Sequence, residues 1–191
     1  MRSRLFLVFA VLLIVAMPAL VGCRDDNPVT PKKSTSSYAD LTEPEHVIEN
    51  LLQSYEDRNY ERFCELLKDP EYLFFLQPRD VYPVGDEYWT LAEDCDITRR
   101  MFLAAMGAPE GSDPKVDRLE LIITDGAWTD IDSIGSEECT GCKRTERIYD
   151  ITLVIGETTY LGNDIIGVYV QPVDDGGVTR YKIRRIYDLP K

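Results

Sequence analysis

Past residue 40 the spacing of apolar positions changes period once, and that change divides the chain. Val47, Ile48, Leu51, Leu52 and Tyr55 recur at helical spacing to about Asp57. Thr42-Glu43-Pro44-Glu45 precedes them as a capping box, with Pro44 in the first turn, where a missing N–H costs nothing. Asn59 is placed to cap a second short helix with Tyr60, Phe63, Leu66 and Leu67 inward, ended by Asp69-Pro70. Glu71 to Gln77, dense in Tyr, Leu and Phe, reads as a short buried strand, and Pro78 to Glu87 as a loop. Thr90-Leu91-Ala92-Glu93 is a second capping box. It opens a helix to about Met106 with Leu91, Cys95, Phe102 and Met106 as its stripe, closed by Gly107 and Pro109.

From Lys115 the period is two. Val116 to Thr124, Glu146 to Ile155, Ile165 to Pro172 and Val178 to Tyr187 read as strands. Gly156-Glu157, Gly162-Asn163-Asp164 and Asp174-Asp175-Gly176-Gly177 are the turn signals between the last three. Thr158 to Leu161 reads as a further short strand or as part of a return. Helices first and a strand meander after predict an α+β domain over 42–191, with three N-terminal helices packed on one face of a curved antiparallel sheet.

The opening of the chain has a different texture. Arg2 and Arg4 precede an unbroken apolar run from Leu5 to Ala16, and Pro18 follows. The run is too short to span a bilayer comfortably and fits a secretory leader over 1–22. Leu20-Val21-Gly22-Cys23 resembles the bacterial lipobox, which implies cleavage before Cys23 and acylation of its thiol. Two or three acyl chains would hold the protein on a membrane, at ~0.8 kcal/mol per buried methylene. Residues 23–41, rich in Pro, Ser, Thr and Lys from Asn27 on, read as the lipidated cysteine and a flexible spacer. The expected place is the bacterial cell envelope, at the outer membrane facing the periplasm. Arg24-Asp25-Asp26 is similar to a surface-export signal and leaves the cell surface open.

Charge narrows the partners. With 21 basic and 34 acidic residues the chain carries −13, and loss of Arg2 and Arg4 would make it more acidic. Nucleic acid, which needs clustered Lys and Arg, is excluded as a partner, and attraction to anionic lipid is disfavoured. Four cysteines remain beyond Cys23, an even count that favours disulfides in an exported protein. Cys139-Thr-Gly-Cys142 lies between loop-like residues, without the strand before and helix after that a redox motif wants, and reads as a disulfide stapling a loop. Cys64 and Cys95, on the second and third helices, either bridge or stay small core residues.

The order of elements resembles the NTF2-like superfamily, with its SnoaL-like and ketosteroid-isomerase-like domains. The resembling residues are Pro44-Glu45-His46-Val47 through Tyr60-Glu61-Arg62-Phe63, Tyr72-Leu73-Phe74-Phe75, Trp89 with Glu93 and Arg100-Met101-Phe102, and Tyr181 to Asp188. The resemblance implies a cone-shaped sheet whose open end holds a small apolar ligand, and in many relatives a homodimer through the sheet face. Its catalytic members use an acid or histidine in the cone, partnered by tyrosines or a second acid.

Little here meets that requirement. His46 is the one histidine, in the first turn of the first helix, so histidine dyads, triads and multi-histidine metal sites are hard to build. Asp150 is the weak catalytic candidate. It shares a strand face with Ile148, Thr152 and Val154, and is a base if that face lines the cone or an ordinary surface acid if it points out. Tyr72, Trp89, Phe102 and Tyr169 are the pocket candidates, with core packing as the plain alternative. Arg99 and Arg100 either bind an anion or complement a helix dipole. Arg180, Lys182 and Arg184 form an alternating basic stripe suited to cross-strand pairing. No cofactor or metal is expected. The sequence reads as a binding or interaction domain, with a small-molecule isomerase or dehydratase as the alternative.

Overall fold

A computed structural model describes residues 37–78, 81, 87–106 and 116–191. The leader, Cys23 and most of the expected spacer lie outside the described residues, as do Gly107 and Pro109. The elements are helix α1 (Pro44–Asp57), helix α2 (Tyr60–Glu65), strands β1 (Leu73–Phe75) and β2 (Tyr88–Thr90), helix α3 (Leu91–Ala105), and strands β3 (Arg118–Ile123), β4 (Thr129–Ile134), β5 (Glu137–Ile155), β6 (Thr158–Asp175) and β7 (Val178–Leu189). The strands form one sheet in the order β2-β1-β7-β6-β5-β3, with β4 also paired to β5. β1 runs parallel to β7 and the other pairs are antiparallel. The architecture is the expected α+β one, helices on one face of a large, mostly antiparallel sheet.

The core lies between helices and sheet. Val47, Ile48 and Leu51 of α1, Phe63 of α2 and Phe102 of α3 bury against Val168, Val170, Ile183 and Ile186. Cys64 and Cys95 pair, tying α2 to α3 with their Cα atoms 5.8 Å apart. A second, smaller core lies on the other face of β5, where Ile134, Cys139 and Cys142 are buried and Ile131 and Tyr169 pack on them.

Several boundaries differ from expectation, each for a local reason. β6 runs unbroken through Gly162-Asn163-Asp164, read above as a turn. These residues face Ile151, Asp150 and Tyr149 in register, and the ladder outweighs their turn preference. β5 begins at Glu137, so Cys139 and Cys142 belong to a strand, not a loop, with Gly141 between them at φ +73°. β4 was not expected, because Thr129-Asp130-Ile131-Asp132-Ser133-Ile134 is mostly polar. β2 places Trp89 in a short strand, and β1 covers only part of 71–77. The first capping box does not form: Glu43 is the N-cap without a side-chain bond, and Glu45 reaches Arg147 and Trp128 instead. The second does form, the Thr90 amide donating to the Glu93 carboxylate at 2.8 Å. Asn59 caps α2, accepting from the Arg62 amide at 3.1 Å.

Candidate functional site

The side of the sheet that receives the helices holds two polar groups of interest. The deeper one starts on α3, where Leu91, Asp94, Thr98 and Phe102 share one helix face. Asp94 is 7% exposed and accepts a hydrogen bond from the Tyr72 hydroxyl, whose residue is fully buried. Tyr55 of α1 completes the group, hydrogen-bonded to Thr98, its ring edge-on to Phe102 with centroids 5.0 Å apart. Burial pushes the Asp94 carboxyl up to about 6, against the pull of the Tyr72 hydrogen bond. Burial and the nearby Asp94 charge push both tyrosines further from ionisation.

The second group lies where β5, β6 and β7 run side by side. The buried Gln77 side chain donates to Asp188 Oδ1 at 2.9 Å, and the Tyr149 hydroxyl approaches the same oxygen at 3.4 Å. Asp164, opposite Tyr149 in register, is buried and accepts from the Lys191 amide at 3.1 Å.

A third buried charge is structural. The Arg147 side chain is 1% exposed, and its guanidinium meets Glu45 Oε1 at 2.9 Å and the Gly126 carbonyl at 3.1 Å. Trp128 Nε1 donates to Glu45 Oε2 at 2.9 Å, and its ring lies 5.5 Å from the guanidinium. A Cβ on Gly126 would come within 2.9 Å of Arg147 Cγ, so this packing needs the glycine. The guanidinium holds the Glu45 carboxyl below its ordinary value. The clamp fixes the start of α1 on β5.

The sequence-derived candidates scatter. Asp150 is exposed on the outer face, where the Asn163 side chain donates to it, so it does not enter the cone. Tyr72 and Phe102 lie in the core. Trp89 is half-buried and stacks on Phe74 at 5.3 Å. Tyr169 faces the opposite side, against Tyr187 and the Cys139–Cys142 core, because its neighbours Val168 and Val170 both point into the main core and strand residues alternate. His46 is half-buried with Nδ1 at the Asp40 carbonyl. Arg99 and Arg100 pair with Asp96 on the α3 surface. The basic stripe is broken: Arg184 is the extra residue of the bulge and is buried between Glu71 and Glu137. Among the described residues no cluster of His, Cys, Asp and Glu suits a metal.

No family model matches this chain. No curated protein matches either. Solved structures do resemble it. A conserved protein from Planctomyces limnophilus DSM 3776 superposes with a TM-score of 0.51 and 10% identity, over 78% of this chain and 94% of that one. A function-unknown protein from Mycobacterium tuberculosis gives 0.50 and 8%, over 78% and 69%. Rd1NTF2_04 with long sheet gives 0.45 and 13%, over 77% and 100%. What the chain shares with the first two is an arrangement of a few helices on a large, mostly antiparallel sheet. At these identities the likeness extends to the fold alone.

Sequence reasoning passed over Asp94, Tyr55, Gln77 and Asp188. Asp94 and Thr98 did leave a signal, as two polar residues four apart on the helix stripe that Leu91 and Phe102 mark as apolar. Gln77 and Asp188 left none, since nothing local tells that both flank one end of a sheet.

Proposed function

We propose that this NTF2-like domain is a non-catalytic binding or interaction module, held on the bacterial envelope membrane through an acylated Cys23. The observation that carries the first half is the placement of acids. Asp150 points to solvent, and Asp94 lies under a tyrosine with no exposed surface. General acid–base work needs an acid within reach of a bound substrate, which neither offers. The second half rests on Arg2, Arg4, the run to Ala16 and Leu-Val-Gly-Cys23, and two cystine pairs suit an exported chain. The module's partner is a small apolar ligand of the cone or an envelope protein. Ile122, Ile148 and Leu161, exposed on the outer face, supply the apolar surface for a homodimer through the sheet.

One observation favours the alternative, a small-molecule isomerase or dehydratase. A carboxyl raised to about 6 beside a tyrosine donor is the pattern of a tuned acid. It would act only if the cone opens to that depth.

Intact mass and cell fractionation of the wild type beside Cys23→Ser test the anchor. The expected result is a lipid-sized increment and membrane association in the wild type, both lost in the variant. A wild type without the increment and free of the membrane overturns the anchored reading.

A further inference from the structure

A groove of about 660 Å³ opens at the start of the described chain, away from the cone residues above. One wall is the strap of residues 38–41. Ala39 exchanges two hydrogen bonds of 2.8 Å with the buried Asn50 side chain. The Leu41 carbonyl accepts from the Tyr181 amide at 2.7 Å, and Tyr38 donates to Asp57 at 3.1 Å. The other wall is Arg180 and Lys182 of β7 with Arg62 and Glu65 of α2.

The three cations of this groove are not equivalent. Arg62 pairs with Glu65 at 2.6 Å, and Arg180 pairs with Asp40 at 3.1 Å and with Asp175 as well. Lys182 is half-buried, and its ammonium donates to the main-chain carbonyl of Glu65. Among the described residues no carboxylate stands at ion-pair distance from it. A partly desolvated ammonium held by a neutral carbonyl gains more from an incoming anion than cations that already have theirs. Desolvation accordingly holds the Lys182 ammonium below its ordinary value. Asp40, Glu65 and Asp175 line the same groove and would repel a dianion. They would accept a neutral or cationic remainder of the ligand. The Tyr38 ring, Leu41 and Leu66 supply its apolar surface.

We propose that this groove binds a zwitterionic small ligand through its monoanionic group, a carboxylate or a phosphodiester, with Lys182 as the ion-pair partner. Two sources carry that chemistry, a free solute and a phospholipid headgroup. The site stands whether or not Cys23 is acylated.

The test is calorimetric titration of the full chain, in uncharged detergent micelles, with glycine and with sn-glycero-3-phosphoethanolamine. Flotation of Cys23→Ser with phosphatidylethanolamine vesicles runs beside it. Lys182→Met should weaken binding about tenfold or more, as expected for loss of a bond to a charged group. Lys182→Arg should restore much of it, and Lys68→Met, half-buried beside Glu71 and not lining the groove, should leave it unchanged. Lys182-dependent saturation by either soluble probe without capture by vesicles assigns a free solute, and Lys182-dependent capture by vesicles assigns a headgroup. The proposal fails if neither probe nor vesicle binds in a Lys182-dependent way. Should Lys182→Met not fold, Lys182→Gln replaces it, and equal binding by Gln, Arg and wild type overturns the site.

Discussion

Arg147 on β5 and Asp94 on α3 are both taken out of water, and the fold treats them in opposite ways. Arg147 meets a carboxylate through two nitrogens, a carbonyl, a hydroxyl and an indole face. Every direction in which its charge points is answered, so it acts as a fastener between α1, β5 and the segment around Gly126. Asp94 meets one phenol and is otherwise desolvated. Its carboxyl therefore takes up a proton at about 6, well above the ordinary 3.8, yet at pH 7 it is still mostly ionised, a charge held with little compensation. The contrast separates a charge used for assembly from an acid that would be chemically interesting if anything could reach it.

The largest expected effect comes from taking away the partner of the compensated charge. Glu45→Ala leaves the Arg147 guanidinium buried and unpaired, and should cost about 3–5 kcal/mol in denaturant unfolding. Arg147→Met should cost clearly less, because Glu45 is half-exposed and can rehydrate. Equal losses would show that the clamp is packing and not charge.

Next comes pH. The folded state holds the Asp94 proton more tightly than the unfolded chain between the ordinary value of 3.8 and about 6. Its contribution to stability is thus fully present below 3.8, falls as pH rises, and levels off above about 6. At 1.36 kcal/mol per unit the fall is about 3 kcal/mol. Subtracting the Asp94→Asn stability curve from that of the wild type should isolate this slope, and a flat difference would contradict it. Tyr72→Phe removes the one donor that favours the ionised form, so it should raise the Asp94 value further and cost about 1–3 kcal/mol at neutral pH. Asp150→Asn is the smallest: an exposed acid paired with Asn163 should change unfolding by less than about 0.5 kcal/mol and leave ligand binding unchanged.

The helices were legible because their signals are local. The stripe of α1, the Asn59 cap and the Thr90–Glu93 box needed only neighbours within one or two turns. The sheet was legible in kind but not in extent. Gly162-Asn163-Asp164 carries strong turn residues, and what overrides them is pairing with Tyr149 to Ile151, which the sequence does not display. The bulge at Arg184 shifted the face of everything before it on β7, so an alternating basic stripe became three separately partnered cations. The candidate site was least legible. Asp150 drew attention as an acid among apolar strand residues, yet strand parity alone does not say which face is covered. Asp94 was hidden by its place after a capping box, where an acid is ordinary helix chemistry.

The measurement that bears most directly on the binding-module account is the pH titration of the Asp94 carboxyl by carbon NMR, in wild type and Tyr72→Phe. The account predicts titration near about 6 in the wild type and a higher value in the variant. Titration in the ordinary carboxylate range, indifferent to Tyr72, would mean that water reaches Asp94. The buried placement of Asp94, on which the non-catalytic reading rests, would then be wrong.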